Sequence, residues 1–221
     1  MFAFEKNDKS ITSENYRTLR TNIEYFSKNN GLKTILITSS QPEDGKTTVA
    51  GNLALSLVEV GKKVVLVDCD LRRPAIHKYL NIGNRAGVSE IIIDNVSVET
   101  AAQECIKGLD VITSGRIPSN PSEILDSDNM ERLLKNLKEN YDYVILDSPA
   151  ILEVADAQIL SSKVDGTILV ARLEKTKKNN IINAGELLNQ VKANIIGTVL
   201  NRVKTKYKSY YREKKSDLRR E

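Results

Sequence analysis

The stretch Thr34-Ile-Leu-Ile-Thr-Ser-Ser-Gln-Pro-Glu-Asp-Gly-Lys-Thr-Thr48 constrains the fold of this chain more than any other. Thr34 to Thr38 is β-branched and apolar, the make-up of a buried strand. Ser39 to Asp44 is turn chemistry with one proline. Gly45-Lys46-Thr47 then opens an apolar-periodic run, Val49 to Val60, which predicts a helix. A buried strand, a tight loop and a helix N-terminus place main-chain N–H groups where they can cradle phosphate. In such a loop the lysine, here Lys46, reaches the outer phosphates of a nucleotide, and the Thr47 hydroxyl ligates Mg²⁺. The spacing G-x-x-x-x-G-K-[ST] is not strictly met, because Ser40 stands where the first Gly belongs. A Gly-Lys-Thr triplet is common by chance, and a solvated left-handed turn is the plain alternative. The flanking strand and helix favour the nucleotide reading.

Two further apolar runs end in carboxylates. Val64 to Val67 is continuous, as in a parallel sheet, and leads into Asp68-Cys69-Asp70-Leu71-Arg72-Arg73-Pro74. Tyr141 to Leu146 ends in Asp147-Ser148-Pro149. Ligands of open α/β sheets lie beyond the carboxyl ends of the strands, so these acids are poorly explained as surface charge. Alternation turns Asp68 and Asp70 to opposite sides, which predicts different roles for them. A strand-terminal Asp such as Asp147 is the second half of a phosphate-loop site, where it holds the Mg²⁺ shell.

Strands are also expected at Leu109–Gly115, Gly166–Ala171 and Ile195–Asn201. Helices are expected at Ser13–Phe26, Ala75–Tyr79, Gly87–Ile93, Ser127–Glu139 and Asn180–Lys192. Strands and helices alternate, so the fold class is α/β: a three-layer sandwich with a mostly parallel sheet. The 221 residues suit one such domain, expected over 1–203 after a polar lead-in at 1–12. No apolar run approaches the ~20 residues that span a bilayer, and Met1 to Lys9 has no signal-peptide core. Cys69 and Cys105 lack metal-ligand spacing, and the single His77 argues against a histidine triad or zinc site. Both Cys69 and His77 are expected to be structural.

The net charge of +4 is unevenly placed. Lys204–Glu221 carries eight Lys/Arg and three Asp/Glu, a net of 8 − 3 = +5, so the rest of the chain is 4 − 5 = −1. Its one aliphatic residue, Leu218, cannot give it a core, so 204–221 reads as a flexible basic tail. It nevertheless holds three of the eight tyrosines, Tyr207, Tyr210 and Tyr211. On the predicted first helix, Tyr16, Leu19, Ile23 and Phe26 share one face, while Glu14, Arg17 and Arg20 form a charged stripe. That stripe is either a self-paired solvated face or a surface that meets a neighbouring subunit.

Taken together, these motifs resemble the bacterial tyrosine kinases (BY-kinases), in the form found as separate cytoplasmic proteins of capsule and exopolysaccharide systems. Glu14-x-x-Arg17-x-x-Arg20-Thr-Asn is similar to the family's oligomerisation motif, Ser40–Thr47 to its Walker A loop, and Val64–Arg73 to its Walker A′ motif. Asp147-Ser-Pro through Asp156 is similar to Walker B, and Ser114–Glu123 to a further family stretch. The tail tyrosines lie where the family has its autophosphorylated cluster. The departures are Glu43-Asp44, where family loops carry Gly near position 43, and tail tyrosines interleaved with Lys and Ser rather than Gly.

The resemblance implies a P-loop NTPase fold of the MinD/ParA-like type and an ATP-dependent tyrosine kinase that uses Mg²⁺. Ser40, Gln41, Asp44, Gly45, Lys46, Thr47, Thr48 and Asn201 would hold the nucleotide, and Thr47, Asp70 and Asp147 the metal. Lys46, Asp68 and Asp70 would carry the chemistry, with Asp68 accepting the phenolic proton, and Tyr207, Tyr210 and Tyr211 the phosphate. Glu14, Arg17 and Arg20 would build a homo-oligomeric ring. The family's partners are a separate transmembrane adaptor, which recruits the cytoplasmic kinase to the membrane, and an opposing tyrosine phosphatase; no nucleic acid is expected. Two alternatives stay open: a MinD/ParA-like positioning ATPase, whose loop would carry a lysine where Gln41 stands, and a non-catalytic nucleotide-binding regulator of polysaccharide assembly.

Overall fold

A computed structural model describes residues 10–203 of the chain. The lead-in up to Lys9 and the whole tail, with Tyr207, Tyr210 and Tyr211, lie outside the described residues. In chain order the elements are α1 (Ile11–Asn30), β1 (Thr34–Ser39), α2 (Lys46–Glu59), β2 (Val64–Asp68), α3 (Ile76–Leu80), α4 (Val88–Asp94), α5 (Val98–Ala101) and β3 (Gln103–Ile106). They continue with β4 (Leu109–Ile112), α6 (Pro121–Asp126), α7 (Asp128–Asn140), β5 (Tyr143–Asp147), α8 (Asp156–Ser161), β6 (Gly166–Arg172), α9 (Lys178–Gln190) and β7 (Ile195–Asn201).

These strands form one seven-stranded sheet in the order β3-β4-β2-β5-β1-β6-β7. Every pairing is parallel except β3 with β4. The four-residue β3 escapes a sequence reading because Gln103-Glu-Cys-Ile has no apolar run and is half exposed. Helix α1 also begins earlier than expected. Ser10 has the extended backbone an N-cap needs and accepts the Ser13 N–H, so the helix starts at Ile11 and Ser13 is a buried residue within it.

Strand alternation divides the core into two layers. Ile35, Ile37, Val64 and Leu66 pack with Ile23 of α1 and Leu53 of α2. Leu36, Val65 and Val67 face the other way, onto Ile92 of α4, Leu133 of α7 and Leu160 of α8. Each fully buried Val, Leu or Ile contributes roughly 1.5–3 kcal/mol, which is why central strands read as unbroken apolar runs.

One polar residue pins the start of the central strand. Asp165, just before β6, accepts the Lys33 and Thr34 N–H groups at 2.9 Å each and pairs with Lys138. Burial pushes the Asp165 carboxyl up, but the Lys138 ammonium and the bonds from Thr34 and Lys33 outweigh it and hold its pKa below the usual value. Its stabilising contribution is therefore complete above the ordinary aspartate pKa of about 3.9 and is lost as pH falls through the lower folded value. Asp165→Ala is expected to cost roughly 1–3 kcal/mol at pH 7, because it strands two main-chain donors. That deficit should shrink in acid. Denaturant unfolding of both proteins at pH 7 and near pH 2.5 checks both statements.

Candidate active site

The site lies where β1, β2 and β5 end side by side. Asp68 and Asp147 are register partners on neighbouring parallel strands, and Asp147 is level with Ile37 of β1, two residues before that strand ends. The segment after Asp147 is laced to β1: Ser148 donates its N–H to Ile37, Ile151 to Ser39, and the Thr38 hydroxyl to the Pro149 carbonyl. The loop of residues 40–45 and the first turn of α2 therefore stand beside Asp147.

Within that loop Gly45 has φ 99°, in the region that favours glycine. A Cβ there would lie 2.0 Å from Asn201 Nδ2, so any other residue would be strained at this φ and would displace the Asn201 amide. Asn201 Nδ2 donates to the Asp44 carbonyl at 2.9 Å, and its Oδ1 accepts the Arg202 N–H at 2.8 Å. Asn201, expected among the nucleotide-holding residues, thus also holds the loop. The acids of the loop are directed onto the segment after β6. Asp44 is buried and accepts the Thr176 hydroxyl at 2.8 Å. Glu43 is exposed and pairs with Lys175 at 2.7 Å, which lowers its pKa. Glu43 also has φ 64°, a left-handed conformation that glycine adopts without cost. Ser40 is buried beside Asp44, and the Gln41 Nε2 is buried without a partner.

Thr47 and Asp147 make a short polar contact in the site. The Thr47 hydroxyl donates to Asp147 Oδ2 at 2.6 Å, while the buried Asp147 Oδ1 has no partner. Burial first, then the neighbouring Asp68 charge, raise the Asp147 pKa, with Lys46 and Thr47 acting against them. A buried acid with an orphaned oxygen beside a threonine hydroxyl suits Mg²⁺, which uses one or two carboxylates and takes its remaining ligands from phosphate and water. Among the described residues no group of three His, Cys, Asp or Glu could hold a metal unaided.

Asp68 and Asp70 have separate surroundings, as alternation implies. Asp68 is fully buried: Oδ1 accepts the Asp70 N–H, and Oδ2 accepts those of Ala75 and Ile76 at the start of α3. Burial raises its pKa to about 6, with the hydrogen bonds opposing. Asp70 is half-buried and lines a cleft with Lys46. Its Oδ1 accepts the Arg73 N–H at 2.9 Å. Thr48 stands in the first turn of α2, half-buried. Cys69 is buried and its thiol pKa pushed well up, which leaves it a structural residue.

The charged stripe of α1 is neither simply solvated nor simply self-paired. Arg17 forks onto Glu59 at 2.8 and 3.1 Å and also meets Glu14 at 2.6 Å. Arg20 binds Glu59 at 2.9 Å and the Ser56 carbonyl at 2.8 Å. Glu59 is the last residue of α2, the end where an acid is disfavoured by the helix dipole. The two arginines offset it and cap the helix whose other end is the phosphate loop. Glu59 carried no local sequence signal, nor did Thr176 and Lys175, which meet the loop from 132 positions away.

Comparison with known proteins shows the family. An "AAA domain" family model matches residues 32–195. The chain is 44% identical over 204 residues, 92% of its length and 86% of the other's, to the tyrosine-protein kinase YwqD of Bacillus subtilis. It is 35% identical over 191 residues to the tyrosine-protein kinase etk of Escherichia coli, covering 86% of this chain but 26% of that one. Among solved structures, the chimerical protein CapA2B2 superposes with a TM-score of 0.85 at 35% identity, over 90% of this chain and 88% of that one. The septum site-determining protein MinD with Mg-ADP, from Pyrococcus horikoshii, follows at 0.66 and 26%, over 77% and 70%. This chain has the P-loop NTPase fold of the MinD/ParA type, and it belongs to the bacterial tyrosine-protein kinases.

Proposed function

We propose that this chain transfers phosphate from ATP to protein tyrosines, including Tyr207, Tyr210 and Tyr211 of its own tail, and thereby regulates capsular or exopolysaccharide synthesis and export. The observation that carries the site assignment is the Thr47–Asp147 pair with its orphaned Oδ1, level with the phosphate loop. Thr47 and Asp147 would hold Mg²⁺, with Asp70 contributing through water so that its carboxylate stays free to accept a proton. When bound, the ion neutralises charge on the transferred phosphoryl group. Main-chain N–H groups of residues 40–48 cradle the phosphates, and Lys46, at the positive end of α2, stabilises charge that grows on the γ-phosphoryl oxygens.

In the transfer, the tyrosine oxygen bonds to the γ-phosphorus, the bond from that phosphorus to the β–γ bridging oxygen breaks, and ADP leaves with the electron pair. The phenolic proton passes to a carboxylate. A tyrosine hydroxyl with pKa about 10 is protonated at neutral pH, so a placed acceptor helps. The geometry favours Asp70, which lines the cleft, over the expected Asp68. Asp68 is committed to three N–H groups, one of them that of Asp70, and so positions the acceptor.

The same reading includes a homo-oligomeric ring in which one subunit's tail enters a neighbour's site, an opposing phosphatase, and a separate membrane adaptor. Support for the adaptor comes from the longer relatives, of which this chain matches about a quarter. Among the described residues no helix is long and apolar enough to cross a membrane. Arg17 and Arg20 can join a ring only by sharing or leaving Glu59. Three phosphotyrosines would add about −4.5 to −6 charges at neutral pH, enough to cancel the tail's +5 and release it.

Incubation with Mg-ATP, with and without the adaptor's cytoplasmic segment, followed by mass spectrometry, should find phosphate on Tyr207, Tyr210 or Tyr211. Lys46→Met should abolish it. Nucleotide hydrolysis without phosphotyrosine would instead favour a positioning ATPase. Asp70→Asn is expected to slow transfer by roughly 10²–10⁴-fold with the fold intact; an equal loss in Asp68→Asn without loss of stability would return the proton to Asp68. In size-exclusion chromatography, ATP should shrink the assembly of the parent chain but not that of a triple Tyr→Phe tail variant.

A further inference from the structure

We infer that Arg72, Asp156 and Ser122 act as one positioning unit that sets the acceptor side of the cleft, independently of the nucleotide cradle. The inference rests on the kinase reading above. Asp156 is fully buried. Its Oδ2 accepts Arg72 Nε at 2.8 Å, and its Oδ1 accepts Arg72 Nη2 at 3.0 Å and the Ser122 hydroxyl at 2.6 Å. Arg72 Nη2 also donates to Ser122 Oγ at 2.9 Å, which closes a ring of hydrogen bonds. Three segments distant in sequence meet there: the turn after β2, the first turn of α6 and the start of α8.

The placement of this ring gives it a role. A cleft of about 100 Å³ opens beside Lys46. One wall is Asp70 and Arg73; the other is the run that includes Pro149, Glu153 and Val154. Arg72 lies within the first wall, and Asp156 stands two residues beyond the end of the second. The Arg72–Asp156 pair is therefore a tie between the two walls, and Ser122 anchors it to α6. Among the described residues, no hydrogen bond links these three side chains to residues 40–48. Both tied segments line the cleft beside Lys46 and Asp70, together with Pro42 of the phosphate loop, and the tie itself makes no hydrogen bond to that loop.

The chemistry fits positioning better than stability. The pair joins a buried carboxylate to an arginine whose side chain is 37% exposed, so solvent weakens the attraction while the carboxylate still bears a desolvation cost. A forked guanidinium–carboxylate contact does fix distance and angle, which a single-point ammonium does not. Arg72→Lys keeps the charge and loses that fork. Ser122→Ala removes one hydroxyl, and Ser122→Thr restores it.

The test uses full-length chains. The enzyme carries the three tail tyrosines as Phe, and the acceptor is the full chain with Lys46→Met. Phosphate transfer is followed against acceptor concentration, and Mg-ATP binding by calorimetry. Arg72→Lys and Ser122→Ala are expected to raise the acceptor KM at least fivefold, with the Mg-ATP Kd within twofold, and Ser122→Thr to return KM towards the parent value. Unchanged KM in both variants overturns the inference, as does a parallel weakening of Mg-ATP. If Arg72→Lys does not fold, Ser122→Ala alone decides. If the parent enzyme transfers no phosphate even with the adaptor's cytoplasmic segment present, the kinase reading fails; if it does and the variants match it, only the positioning unit fails.

Discussion

The parallel register of β2, β5 and β1 is the constraint on which this site depends. It places Asp68 opposite Asp147 and Asp147 beside the last residues of β1. Two buried carboxylates on adjacent strands repel, and both have raised pKa values. The fold tolerates them because each has a specific compensation. Asp68 holds three N–H groups at the start of α3, and Asp147 holds the Thr47 hydroxyl near the Lys46 ammonium. Shifting one strand by one residue would turn one acid to the opposite face and separate the pair.

The phosphate loop is supported from three directions, which explains how it accommodates two acids. Asn201 of the edge strand β7 holds the Asp44 carbonyl, Thr176 takes the Asp44 carboxylate, and Lys175 meets Glu43. The acids thereby brace the loop instead of crowding a bound phosphate. From the far end, Arg17 and Arg20 of α1 cap the helix that the loop begins, through Glu59 and the Ser56 carbonyl. A ring contact made through those arginines would act on the same helix that carries Lys46.

How much was legible in the sequence differs from residue to residue. Strands β1, β2 and β5 were plain, because burial on both faces demands unbroken apolar runs. β3 was not, because an edge strand of four half-exposed residues needs no such run. Asp68, Asp70 and Asp147 could be singled out because a carboxylate at a strand's carboxyl end is rare without a purpose. Which of them is enclosed by main-chain donors could not. The expected proton acceptor, Asp68, is enclosed by main-chain donors, while Asp70 lines the open cleft. That Asn201, expected at the nucleotide, also holds the Asp44 carbonyl was not legible, because the two lie 157 positions apart.

The sequence by itself determined the alternation of strands and helices, the phosphate loop, the acids at the strand ends and the family, because each is written within a few neighbouring residues. Only the tertiary structure decided which distant groups meet: Glu59 with Arg17 and Arg20, Thr176 with Asp44, and Arg72 with Asp156 and Ser122. The reason is physical. Periodicity and turn chemistry act over one helical turn or one strand, whereas a buried charge finds its partner only after the sheet has set which strand ends are neighbours.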